Sequence, residues 1–320
     1  GAYLGESIAL AVAVSWTVCA LLSETVSHRL GAHVVNVLRM VLSLLFIGAL
    51  LWVCTGSPLP PRADATTWGW LLASGLVGYV FGDYCLFNAY LLIGSRFGQL
   101  FMTIAPAVSA VAGWLLLGER LSAQALLGME VTTTGIAVSI LGRGAPDGED
   151  EGRRRRKVRL NLPTRGVLLG IGAGVGQGLG LTLSAVGLKH YAAVWTVAKV
   201  GASTAFLLPF AATQMRAVAG LPGFLLLLFL AGKGDALRRA CTDGRGWLLM
   251  AATVVFGPFV GVSLSLMATQ YTSTGVAMTI MSLSPVLILW PAHVLFGQRV
   301  TRREVLGALI SVAGVALFFV

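Results

Sequence analysis

The chain is 320 residues long, 56% hydrophobic and 11% charged, with a formal net charge of +10. A soluble domain carries about 25% charged residues, and this composition folded in water would expose more apolar surface than a monomer tolerates. The charge collects in short islands between apolar blocks of roughly 20 residues, the length that crosses a bilayer as a helix. A soluble enzyme or nucleic-acid-binding domain is therefore excluded, and an all-α polytopic membrane protein is expected.

Ten transmembrane helices are predicted, over 5–23, 33–54, 67–89, 95–117, 122–141, 166–187, 210–232, 246–268, 274–296 and 303–320. The first opens on Gly5-Glu6 and carries Trp16, and the second carries Arg39. The third holds Asp83 deep in its apolar run, with Tyr84 beside it and Phe87, Asn88 and Tyr90 following. The fourth brings Gln99, Thr103 and Pro106, and the fifth Glu130. Residues 142–165 then form a charged loop; Gly142 to Gly152 is rich in Gly, Asp and Glu and reads as mobile. The basic run Arg153 to Lys157 lies beside Glu149-Asp150-Glu151. It reads as a solvated loop that fixes orientation, with a lipid- or nucleic-acid-binding patch as the alternative.

In the sixth span Gly170, Gly174 and Gly178 share one face and Gly172, Gly176 and Gly180 another. Small residues at this spacing let helix backbones approach closely. Gln177 sits among them as an uncharged cavity candidate. Residues 189–209 are rather apolar but contain Lys199, and read as a loop with a half-helix; an eleventh span is the alternative. The seventh span carries Arg216, and the ninth Thr279, Ser282, Ser284, Pro285 and His293. Cys19, Cys54, Cys85 and Cys241 are scattered and imply no disulfide framework. No basic region followed by a cleavage site opens the chain, so no signal peptide is expected.

Residues 68–141 and 247–320 align without a gap at an offset of 179. The identities include Trp68/Trp247, Gly78/Gly257, Gly82/Gly261, Met102/Met281, Pro106/Pro285, Gly118/Gly297, Arg120/Arg299, Gly128/Gly307 and Gly135/Gly314. Upstream, Arg39 matches Arg216 at 177 and Gly5 matches Gly166 at 161. The chain thus divides into a five-helix repeat over 1–141, the loop 142–165, and a second repeat over 166–320. Five is an odd number, so two homologous halves joined by a loop that does not cross must be inverted in the membrane. Such a duplication places a solute site near the pseudo-two-fold axis at mid-depth.

Orientation is open at this point. Connections after odd-numbered spans, edges included, carry 17 Lys/Arg and those after even-numbered spans four, which puts loop 142–165 in the cytoplasm and both termini outside.

Ionisable residues inside spans are costly and mark function or pairing. Asp83 is either a proton-coupling site, a substrate-amine contact, or one end of an ion pair with Arg39. Arg39 and Arg216 either snorkel to the surface or bind an anionic group. Glu130, Glu6 and His293 read as packing or interfacial groups. Trp16, Asp83, Tyr84, Asn88, Gln99, Thr103, Gln177, Thr279, Ser282 and Ser284 are the substrate-cavity candidates, a few polar groups among apolar walls. Pro106 and Pro285 are hinge candidates, since a proline inside a span removes a hydrogen bond and bends the helix. The motifs GxxxxGK[ST], HExxH and GxSxG are missing, so no enzyme, cofactor or metal is expected.

The block Pro106, Gly118-Glu119-Arg120-Leu121, Gly128 and Gly135 returns as Pro285, Gly297-Gln298-Arg299-Val300, Gly307 and Gly314. It resembles the EamA-type repeats of the drug/metabolite transporter superfamily. Gly5-Glu6 with Trp16, Asn36 and Arg39, and Gly82-Asp83, are similar to one bacterial branch of it. The resemblance implies a central cavity lined mainly by the first, third, fourth, sixth, eighth and ninth helices, with the fifth and tenth peripheral. It also implies cytoplasmic termini, against the loop charges. Gln298 and the long segment 189–209 depart from the pattern.

The expectation is a secondary active transporter of the cell (inner) membrane. It would export small metabolites such as amino acids or amphipathic compounds by alternating access, driven by protons or by the solute gradient, with Asp83 as the coupling candidate. Its partners would be a small-molecule solute and the lipid bilayer, with no nucleic acid, as a monomer or homodimer. The competing classes are a lipid-acting membrane enzyme and a flippase-like subunit.

Overall fold

A computed structural model describes residues 3–142, 163–197, 202–296 and 300–319, and among these every regular element is helical. The mobile loop expected around 142–152, the basic run, Lys199 and Gln298 lie essentially outside the described residues. Eight helical stretches are long and apolar enough to cross a membrane. The other two stretches expected to span, 67–89 and 303–320, are helical but are not among these eight; the last holds the 15-residue helix α15 (Arg302–Ala316).

The repeat is written into the element boundaries. Helices α3 (Ala65–Gly75) and α10 (Gly244–Val254) begin and end at positions 179 apart. Each opens on an aspartate: Asp64 accepts from the Thr67 N–H at 2.9 Å, and Asp243 from the Gly246 N–H at 3.1 Å. Such caps satisfy donors that the first turn leaves orphaned. Each helix then widens into a π-helical stretch, Leu76–Asp83 and Val255–Val262. In the second, Pro258 sits inside the widened turns and cannot donate to the ladder.

The same symmetry governs the prolines. Helix α4 (Tyr84–Met102) ends two residues before α5 (Ala105–Leu117), as α12 (Thr274–Met281) does before α13 (Ser284–Leu287) and α14 (Leu289–Phe296). Pro106 and Pro285 are therefore not mid-helix. Each sits in the first turn of a restarting helix, where a missing N–H costs nothing. The bend lies just ahead of them, at Thr103-Ile104 and Ser282-Leu283.

Helix α7 (Thr164–Val197) is the spine of the first half. Its Gly172, Gly176, Gly180 and Gly187 face Cys85, Gly82, Gly78 and Leu71 in turn. Its Gly166, Gly170, Gly174 and Gly178 face Ile93, Phe101, Ile104 and Val108. The first series descends in residue number and the second ascends, so the chain before Cys85 runs antiparallel to α7 and the chain after Phe101 runs parallel to it. The two glycine faces thus hold two partners antiparallel to each other. A Cβ at Gly180 would lie 2.7 Å from the Gly78 Cα, so the contact is backbone against backbone.

Among its described residues segment 189–209 forms no separate span, and its half-helix is a continuation of α7. Helix α7 continues to Val197, and a 3₁₀ turn (Ala202–Leu207) leads into α8 (Leu208–Leu230). Tyr191 and Trp195, buried beside Leu71 and Met215, hold this extension to the bundle, and the Tyr191 hydroxyl donates to the Pro61 carbonyl at 2.7 Å.

Helix α6 (Ala123–Gly142) crosses α15 where Gly135 meets Gly307 and Ser311, and Gly307 meets Ser139. Glu130 is exposed on the outer side of this pair. Tyr3 and Phe319 stack with ring centroids 5.6 Å apart, so the first and last described turns share one end of the bundle.

Candidate functional site

The halves are interleaved. Helix α1 (Leu4–Leu30) packs on α10, the second π stretch and α11 (Ser263–Ala268), while α7 packs on their first-half counterparts. The contacts themselves repeat. The Trp16 indole lies against Gly261, and its counterpart Gln177 lies against Gly82. Ser15 donates to the Phe256 carbonyl at 2.6 Å, and Gln177 to the Gly78 carbonyl at 3.2 Å. Each π stretch therefore receives a side chain from the opposite half.

A buried polar cluster grows from this junction. Asp83, the last residue of the first π stretch, accepts from Arg39 Nη2 at 2.9 Å and from Gln177 Nε2 at 3.0 Å. Of the readings open for Asp83, an ion pair with Arg39 is thus present in this conformation. Arg39 belongs to α2 (Ala32–Thr55), so three helices converge on one carboxylate. Arg216 of α8 lies nearby, 4.7 Å from the Tyr79 ring centroid and 5% exposed. Snorkelling is therefore wrong for Arg216: its position mid-helix, against the first π stretch, keeps the guanidinium inside the bundle.

A second group of candidates surrounds the bend points. Trp16, Thr103, Ser282 and Ser284, with Met102 and Pro285, line a small, mostly apolar cavity of ≈130 Å³. The hydroxyls there donate to nearby carbonyls: Thr103 to Leu100 at 2.6 Å, just ahead of the break, and Ser284 to Ala13 within α1 at 3.1 Å. Thr279 is fully buried and donates to the Gly275 carbonyl, away from this space. Tyr84 is exposed, and the Asn88 amide is spent on the Tyr84 carbonyl. The Gln99 side chain lies outside the described residues.

Clasps between residues of the two repeats sit at the two ends of the bundle. At one end Arg29, at the close of α1, forms a bidentate pair with Asp243, its Nη2 at 2.8 Å from Oδ1. At the other end His190 of α7 meets Asp64 at 2.9 Å. The ends differ because α1 runs from the Tyr3 end to Arg29 and α2 carries the chain back towards Asp64. The pairs are equivalent by the repeat, Arg29 to His190 at offset 161 and Asp64 to Asp243 at 179. Arg29 and the cap bond hold the Asp243 carboxyl down to about 2. The Thr67 hydroxyl, then His190, hold Asp64 well below the usual carboxylate range.

Glu119 makes a third clasp, at the Asp64 end. Its carboxylate accepts from the Thr274 N–H at 3.0 Å and the Thr274 hydroxyl at 2.7 Å, joining the exit of α5 to the start of α12. Glu6 reaches the same connection and accepts from the Thr272 hydroxyl at 2.7 Å. The Gly-Glu-Arg motif thus works here as an inter-half cap. Glu119 also borders a polar depression of ≈380 Å³ with Lys189, Thr269 and Gln270. Sequence reasoning passed over Asp64, Asp243, Arg29, His190 and Tyr79, although the two repeat offsets already matched the first four in pairs.

Among the described residues no group of three or more His, Cys, Asp or Glu is placed to hold a metal. A family described as the EamA-like transporter family matches residues 3–141 and 178–320. A solved structure, described as a crystal structure of a protein, aligns over 98% of this chain and 95% of its own, with a TM-score of 0.67 at 15% identity. That likeness concerns the fold alone. Comparison with curated proteins finds no match.

Proposed function

The chain belongs to the EamA-like transporter family and is a multi-pass membrane transporter; from that premise we propose that it is a secondary exporter of small metabolites such as amino acids, in the cell's inner membrane. It works by alternating access: the interleaved halves rock about the junction of Trp16, Gln177 and the two π stretches. The observation that carries this reading is the pair of repeat-related clasps, Arg29–Asp243 and His190–Asp64, at opposite ends. On this reading the clasp at one end parts as that end opens, while the other stays closed.

Asp83 couples transport to protons. Its ionised carboxylate holds Arg39 and Gln177 together. A proton taken up on a carboxylate oxygen cancels the charge that holds Arg39 and loosens three helices at once. A buried pair of this kind suits a switch, because losing one charge leaves the other costly to keep in place.

The test is counterflow and gradient-driven uptake in proteoliposomes, with a panel of amino acids, nucleosides and sugar phosphates. Wild-type protein should move at least one amino acid. Asp83→Asn should lose gradient-driven uptake yet keep exchange. Unaltered uptake by the variant removes Asp83 from coupling, and no movement of any solute defeats the proposal.

A further inference from the structure

The cluster around Asp83 is short of negative charge. Arg39 and Arg216 bring two permanent positive charges, and Asp83 brings one negative. Each oxygen of that carboxylate already accepts one bond, Oδ2 from Arg39 and Oδ1 from Gln177. Arg216 makes no hydrogen bond to any described residue. Its Nε is buried without a partner, and its one close neighbour of note is the face of Tyr79. An arginine 5% exposed inside a membrane helix is an expensive residue for a fold to hold without a hydrogen bond.

The orphaned groups on the elements packed against α8 have a common chemistry. Arg39 Nε, the Ser43 hydroxyl and the Tyr79 hydroxyl are also buried without partners. With Arg216 they come from three elements that converge here: α2, the first π stretch and α8. All four can donate. What is missing is an acceptor carrying one negative charge.

We infer that Arg216, with Tyr79, Ser43 and Arg39 Nε around it, binds a monoanionic carboxylate, the acid end of the transported solute. This rests on the transporter reading and names the class of its substrate. A carboxylate matches the deficit on two counts. Its single charge neutralises the cluster, where a phosphate dianion would overcharge it. Its two oxygens offer about four lone-pair directions, and the planar guanidinium fork meets them in bidentate fashion. Glycine at position 78 admits the guanidinium: a Cβ there would lie 3.0 Å from Arg216 Nη2. The uncompensated charge in the empty protein is then a binding determinant, because only the loaded site is neutral.

The test uses purified full-length protein in detergent and short probes: acetate, butyrate and benzoate, their neutral amides, phosphate and chloride. Melting temperature is read for wild type, Arg216→Gln and Arg216→Met. Carboxylates should raise the wild-type value and the amides should not. Arg216→Gln should need about tenfold more carboxylate or lose the rise altogether, the scale of hydrogen bonds to a charged group. Ligand-free Arg216→Met should melt above wild type, since it removes an unpaired buried charge; a merely structural arginine would give the opposite. Amides acting like acids, equal rises with chloride or phosphate, or carboxylate stabilisation surviving in Arg216→Gln would each overturn the inference. These readouts need no transport, so inactive proteoliposomes would defeat the proposed function without deciding this one.

Discussion

Removing the Glu119 carboxylate should cost stability in a graded way set by the two bonds it accepts. In Glu119→Ala the Thr274 N–H at 3.0 Å loses its charged acceptor and the hydroxyl at 2.7 Å is left with the Ser109 carbonyl at 3.1 Å, while Ser273 still caps α12. An N-cap interaction is worth about 1 kcal/mol, and charge-assisted bonds are about twice as strong as neutral ones, so the loss is about 2 kcal/mol. With an unfolding entropy of about 2.1 cal/mol/K per residue, that lowers Tm by about 3 °C in a chain of this length. Glu119→Gln keeps an acceptor oxygen and loses only the charge, so it should cost about half as much. Gly113→Ala should resemble the alanine variant, because a Cβ at 113 would collide with Glu119 Oε2 and with the Thr274 hydroxyl. Thermal unfolding of the three variants in one detergent is the assay. Equal melting of Glu119→Ala and wild type, or a glutamine variant as damaged as the alanine one, would refute the capping role.

The Arg29–Asp243 clasp should show itself in acid. A carboxyl held down to about 2 contributes stability that is complete above pH ~4 and is lost as pH falls towards ~2. Asp243→Asn should therefore melt lower at neutral pH and lose less than wild type between pH 4 and pH 2; parallel pH profiles would contradict this. At the α6–α15 crossing, Gly307→Leu drives a side chain into the Ser139 backbone and should abolish a monodisperse size-exclusion peak. Gly69→Leu, at a position with nothing within 4 Å, should leave the peak intact; equal behaviour of the two would discount close packing there.

Much of the architecture was legible because the duplication is marked by residues with few conformational options. Gly78/Gly257 and Gly82/Gly261 fall inside the paired π stretches, and Pro106/Pro285 fix where the helices restart. The break ahead of each proline was not legible, since a proline is equally compatible with a bent helix and with the first turn of a new one. The continuation of α7 to Val197 was obscured by Lys189, His190 and Lys199, which look like loop residues until Asp64 is seen to engage His190. Arg216 was misjudged for a related reason. A periodic apolar pattern says that an arginine lies within a span, but only the packing of α8 on the first π stretch says that its head lies against Tyr79 inside the bundle. The offset of 161 that pairs Gly5 with Gly166 also pairs Arg29 with His190, so the end clasps could have been found by extending the alignment.

The central claim, that the two ends open in alternation, is tested most directly by distance measurement across the clasps. Spin labels would be placed beside the intact clasps, at Thr25→Cys with Thr242→Cys in one sample and at Thr66→Cys with Lys189→Cys in another, both in a background lacking the native cysteines. Pulsed electron spin resonance in lipid nanodiscs would be recorded at several pH values, with and without transported solute. The account predicts two populations for each pair, with conditions that lengthen one separation shortening the other. Separations that stay single and fixed, or that lengthen together under every condition, would contradict it.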